Sequence, residues 1–250
     1  MRATLDSSHY PARRLRRAEP PAPGGGAWTA AERAFLRRLS SPARIQDFLD
    51  GLAYRAEDRP ASPRGVLEER RANCYDGALF AAAALRELGH RPLVLDLWAV
   101  RDDDHVLAVY RVEGRLGAVG KSNFAGLRSR EPVHRTVREL VLTYFEQYFN
   151  AAGEKTLRAY SPLHDLRRYD RYGWTFSAAP LQYISDALDA LPHRRILSPA
   201  AERGLEPVDR RSMEAGMLGT DPAGLYQGAA GVTRPTAPPP RGRRPARRAG

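Results

Sequence analysis

The sequence predicts an α+β fold, and three features carry that expectation. With 250 residues, 42% of them hydrophobic, the chain can fill one good-sized core. Residues 78–85 read as a helix that is apolar on almost every side, which belongs at the centre of a domain. Three strand-like runs follow it directly, and then helical periodicity returns. Helices, a cluster of strands and more helices, with no βαβ alternation, exclude a doubly wound parallel sheet.

Each element has a local reason. Thr29 offers an N-cap for the helix "AAERAFLRRL". Ser41 and Pro42 open a second helix, "PARIQDFLDGLAY", whose Ile45, Phe48, Leu49 and Leu52 share one face. "RAEDRPASPRG" reads as a polar connector. The apolar helix starts after Asn73, and Gly89 is placed to end it. Its alanines at 81–84 let neighbouring backbone come close. The strands are "RPLVLDLWAV", "HVLAVYRV" and "RLGAVG", the last two joined by a turn around Glu113 and Gly114. In "RTVRELVLTYFEQYFN" the residues Val137, Leu140, Val141, Tyr144, Phe145 and Tyr148 form a helical core stripe, and "LQYISDALDAL" gives one more short helix. The expected organisation is a disordered basic segment over 1–28, one domain over 29–200 with its core at about 70–125, and a Pro/Arg-rich tail over 201–250.

The chain's single cysteine, Cys74, falls at the first position inside the central helix. Asn73 is a favoured N-cap, and Asp76 three positions on resembles a capping box. A thiol there faces unpaired backbone N–H groups and the positive end of the helix dipole, so its pKa is expected below the free value of about 8.5. The same N–H groups could donate to an oxyanion. Taken by itself, such a cysteine is more often a small apolar filler. A nucleophile also needs a base and a group that orients the base. His105 opens the second strand and shares a face with Leu107 and Val109. A three-residue hairpin loop sets His105 across from Asn123, and a two-residue loop sets it across from Ser122. Either neighbour could fix the imidazole tautomer, the role of a third triad member.

Together these stretches resemble the transglutaminase-like superfamily, which shares its core with papain-fold cysteine proteases. "NCYDGALFAAAALRELGHRPLVLDL" resembles the family's cysteine-bearing helix and first core strand. "DDDHVLAVYRVEGRLGAVGKSN" resembles its histidine strand and the strand carrying the third residue. The likeness spans roughly residues 40–150. It implies Cys74 as nucleophile, His105 as base and Asn123 as orienting residue, in an acyl transfer through a thioester. The substrate would be a peptide, protein or small-molecule amide or ester, with no metal or organic cofactor. Asn departs from the family's usual Asp, and "GVLEERRANC" lacks the upstream Gln that papain-like enzymes use for the oxyanion. Some members of the superfamily keep the scaffold without catalysis, so a binding domain is the alternative expectation.

Other classes are weaker. The formal charge of +11 comes almost entirely from arginine and lies largely in "PARRLRRAEP" and "RPTAPPPRGRRPARRAG". Such tails predict non-specific, salt-sensitive attraction to polyanions. "RDDDH" has metal-ligand residue types, yet it reads better as an acidic turn entering a strand. No run approaches the roughly 18 apolar residues of a membrane span. The start of the chain has no apolar signal core, and one cysteine forms no internal disulfide; a cytoplasmic protein is the expectation.

Overall fold

The computed structural model describes residues 18–57 and 59–226. The basic stretches at 1–17 and 227–250, and with them most of the expected polyanion contacts, lie outside the described residues.

The fold is mixed α+β, as the element order predicted. Helix α1 (Ala30–Arg38) begins with a full capping box between Thr29 and Glu32. Helix α2 (Pro42–Asp50) is capped by Ser41 and buries Ile45 and Leu49. The expected second helix stops at Asp50 and its last two residues form a strand, β1 (Ala53–Tyr54), while the expected connector runs into a two-turn helix, α3 (Pro63–Glu69). Ser62 caps that helix with Pro63 at its first position, a start signal that a polar composition hides. Strand β2 (Arg71–Ala72) pairs in parallel with β1, Tyr54 against Ala72. The central helix α4 (Cys74–Glu87) follows, buried from Tyr75 to Leu85.

The main sheet is antiparallel, in the spatial order β6-β5-β4-β3-β7-β9, with β8 also on β3. Its strands are β3 (Leu93–Ala99), β4 (His105–Val112), β5 (Arg115–Val119), β6 (Arg130–His134), β7 (Leu157–Tyr160), β8 (His164–Asp165) and β9 (Arg194–Arg195). Val106, Ala108 and Tyr110 turn to the face covered by α4 and form one core with α1–α3. Leu107 and Val109 turn to the other face, where helix α5 (Val137–Phe145) brings Leu140, Val141 and Tyr144. Helix α6 (Gln182–Asp189) closes the α4 side. α4 lies close to the sheet because Gly77 has no side chain: a Cβ there would stand 2.4 Å from Cβ of Lys121. The Lys121 ammonium in turn donates to the carbonyls of Leu49 and Leu52, at 2.9 and 2.6 Å, and satisfies the end of α2.

The expected boundaries of the domain shift at both ends. Residues 18–28, expected as part of a disordered segment, are docked through buried Trp28, because the ring finds Phe176 edge-on at 4.9 Å. Residues 201–226, expected as tail, contribute to α7 (Pro199–Arg203) and form α8 (Arg210–Gly216), helices begun by Ser198 and Asp209 caps. No helix among the described residues is long and apolar enough to cross a membrane.

Candidate active site

Cys74 is the first residue of α4, with Asn73 as N-cap accepting from the Asp76 amide at 2.9 Å. The reciprocal half of the capping box is missing. The Asp76 carboxylate instead accepts from the Ala61 amide at 2.7 Å and pairs with buried Arg55 at 2.9 Å. The sulfur fits where the sheet comes apart. The β4–β5 ladder runs from Val112↔Arg115 to Ala108↔Val119 and then ends. In a two-residue hairpin the closing pair is hydrogen-bonded, so even-numbered residues of β4 aim their backbone groups at β5. Past Val119 those groups find Cys74: the Val106 amide donates to Sγ, and the thiol donates to the Asp104 carbonyl at 3.6 Å. The sulfur thus flanks His105 along the strand edge.

His105 is buried on the α5 face, beside Leu107. Its Nε2 lies 2.8 Å from the Leu127 carbonyl. A carbonyl can only accept, so Nε2 carries the proton and Nδ1 is the basic nitrogen. Gly120 leaves room for the Leu107 side chain next to the ring, since a Cβ there would stand 2.6 Å from Cδ2 of Leu107. Tyr148 stands edge-on to the ring at 6.4 Å between centroids and donates to the Asp103 carbonyl at 2.7 Å. Burial lowers the pKa of His105 to about 4, against the favourable Leu127 contact.

The thiol does not follow the helix-dipole expectation. Burial pushes Cys74 up to about 12, helped by the carboxylates of Asp103, Asp76 and Asp96, although the Val106 amide pulls the other way. One helix terminus does not outweigh the loss of water and a ring of acids. At neutral pH both Cys74 and His105 are uncharged.

Asn123 is not beside the imidazole. The turn has two residues, Glu113 and Gly114, both at positive φ, which makes Ser122 the continuation opposite His105. Ser122 itself accepts from the Phe124 amide at 3.0 Å. With Lys121 held by α2, the chain leaves the sheet and carries Asn123 to the surface. There its side chain donates to the Asp221 carbonyl at 2.9 Å and accepts from the Asp221 amide at 2.7 Å. The Leu127 carbonyl occupies the orienting position that the sequence pattern gave to Asn123.

A second polar group takes in Asp104 of the "RDDDH" stretch, which reads in the sequence as an acidic turn. Asp96, Asp104 and Asp189 bring ligand-type oxygens within 4.8 Å of one another, and His193 Nε2 lies 2.7 Å from Asp96. These are the described residues with donors suited to a divalent cation. Here protons relieve the repulsion. Burial and Asp96 raise the Asp104 carboxyl to about 7. Burial works against charge on His193, but Asp96 prevails and its pKa rises. Besides "RDDDH", the available signal was an aspartate inside the apolar strand "LVLDLWA". His193 lies 97 residues away and had none. A search of protein families finds no family model that matches this chain, and a comparison with curated proteins finds no match either.

Proposed function

We propose that the protein is a cysteine-dependent acyl-transfer enzyme of transglutaminase-like, papain-like architecture, with Cys74 as nucleophile and His105 as base. The observation that supports this most is the sulfur held between the backbone groups of Asp104 and Val106, on either side of a histidine with Nε2 anchored to Leu127. The thiol passes its proton to His105 Nδ1 as sulfur bonds to the carbonyl carbon of an amide or ester. The tetrahedral oxyanion is met by first-turn amides of α4. Its collapse breaks the bond to the amine or alcohol, which leaves with the proton from His105. Water or an amine then attacks the thioester carbon, giving its proton to His105; the C–S bond breaks, the acid or new amide leaves, and the imidazole returns the proton to sulfur. Leu127 does the orienting, and a carbonyl stabilises an imidazolium without a full negative charge.

The test is an activated ester, p-nitrophenyl acetate, with mass spectrometry of the quenched protein. An acetyl adduct on Cys74 is expected in the wild type, lost in Cys74→Ser and slowed at least about a hundredfold in His105→Gln. Equal ester turnover in all three proteins removes the assignment.

A scaffold without catalysis is the second reading, favoured by the thiol at about 12 and the imidazole at about 4. It predicts no adduct under any condition that leaves the fold intact.

A further inference from the structure

The His105 ring is buried and the Cys74 thiol only partly exposed, so an acyl donor that is to reach both needs something to open. We infer that residues 205–226 form a detachable strap over the Cys74–His105 site, clasped by Asn123 and seated on Tyr54. This rests on the acyl-transfer reading for its purpose, though not for its geometry.

The strap touches the molecule at points that bracket the site. The Val208 amide donates to the Gly153 carbonyl at 2.9 Å. Gly216 lies on buried Phe149 so closely that a Cβ would stand 2.5 Å from Cζ. Phe149 follows Tyr148, the ring set against His105. Asn123 then holds both backbone groups of Asp221. Finally, Gly224 faces the Tyr54 ring, where a Cβ would stand 2.5 Å from Cδ1 and 3.0 Å from Nδ2 of Asn123. Tyr54 pairs with Ala72, two residues before Cys74. Tyr54 is also close enough to Cys74 for charge on the sulfur to raise the phenol's pKa. The strap therefore spans from the histidine side to the cysteine side.

It is also lightly held. Its helix α8 buries only Gly216, and Leu218 is 79% exposed. Segments with few buried contacts open at low free energy cost, well before the domain unfolds.

The experiment uses the full chain and follows iodoacetamide labelling of Cys74 at pH 7.5, with tryptic cleavage at Arg210 and Arg211 reporting detachment. Gly224→Leu forces a side chain into Tyr54 and Asn123. Asn123→Ala, at a half-buried position, releases the clasp without adding volume. Both are expected to speed cleavage and to raise the labelling rate about tenfold or more. Faster cleavage with unchanged labelling overturns the strap, as does unchanged labelling in both variants. If Gly224→Leu unfolds the domain by circular dichroism, Asn123→Ala decides alone. Faster labelling without His105-dependent ester turnover keeps the strap and removes the enzyme.

Discussion

Both ends of the described chain fold back onto the domain, and they are held in opposite ways. The leading arm, residues 18–28, is inserted. Trp28 is buried, and Phe176 lies between its edge and the Arg64 guanidinium, which is 4.7 Å from the ring centre. Arg64 also donates to the Ala27 carbonyl at 2.6 Å and pairs with Glu32. The Gly24 amide reaches the Arg171 carbonyl at 3.1 Å, and the Ala18 amide reaches Asp186 at 2.6 Å. The trailing arm, residues 205–226, rests on glycine contacts and a neutral amide clasp, with no large side chain of its own buried.

An indole removed from water holds by a large hydrophobic term that only global or subglobal unfolding recovers. Hydrogen bonds at the surface exchange with water at little net cost. The first arm therefore belongs to the stability of the domain, and the second can leave while the domain stays folded. This is the physical basis for assigning control of access to the trailing arm.

The largest expected effect breaks the comparison at its strong end. Trp28→Ala should cost about 3–5 kcal/mol, the range for a large aromatic lost from a core. For a domain of this size that lowers Tm on the order of 10 °C. Denaturant unfolding gives the value, and Cys74 labelling under native conditions should not change. A loss below about 1 kcal/mol would make the two arms equivalent.

How much of this was legible from residues follows the same division. Helix starts marked by Thr29, Ser41 and Asn73 were readable because a cap acts within three residues of itself. The hairpin was readable to within one residue, and that residue decided whether Ser122 or Asn123 continued opposite His105. Strands β6 and β7 were missed. One is an edge strand containing Pro132, and the other has four residues including Arg158, whose charge is answered by Glu202 at 3.7 Å. The placement of Cys74 and His105 on neighbouring elements was visible, but the sign of the thiol shift was not. A helix tip is local, whereas desolvation and the fields of Asp103 and Asp96 depend on tertiary contacts. The Asp96–His193 pair and the seat of Gly224 on Tyr54 join distant segments, and no spacing rule reaches them.

A pH titration sharpens the contrast between the arms. Burial works against the Glu32 carboxylate, yet its hydrogen bonds with Arg64 and Thr29 prevail and hold its pKa below the ordinary 4.5. A depressed acid stabilises the folded state above its unfolded pKa, and that contribution is lost as pH falls through the folded value. The leading arm should therefore loosen below about pH 4.5. The Asn123–Asp221 clasp pairs an amide with backbone and has no proton to gain. Hydrogen exchange, corrected for intrinsic rates, should show residues 24–33 losing protection in acid before residues 217–226 do. Equal loss in both would mean the acid effect is global.

The smallest stability effects belong to the trailing arm, where they are most informative. Arg210→Ala removes an ion pair with Glu214 in which the arginine side chain is 91% exposed, and it should leave stability within about 0.5 kcal/mol of wild type. Asn123→Ala deletes two hydrogen bonds at the surface and should cost about 1 kcal/mol. Arg210 touches neither Asn123 nor Tyr54, so its loss should leave Cys74 labelling as it was. Loss of Asn123 should raise labelling despite a stability change too small to populate unfolded chain. If labelling instead tracks global stability across Trp28→Ala, Asn123→Ala and Arg210→Ala, the thiol becomes exposed only by unfolding, and both arms are parts of one cooperative domain.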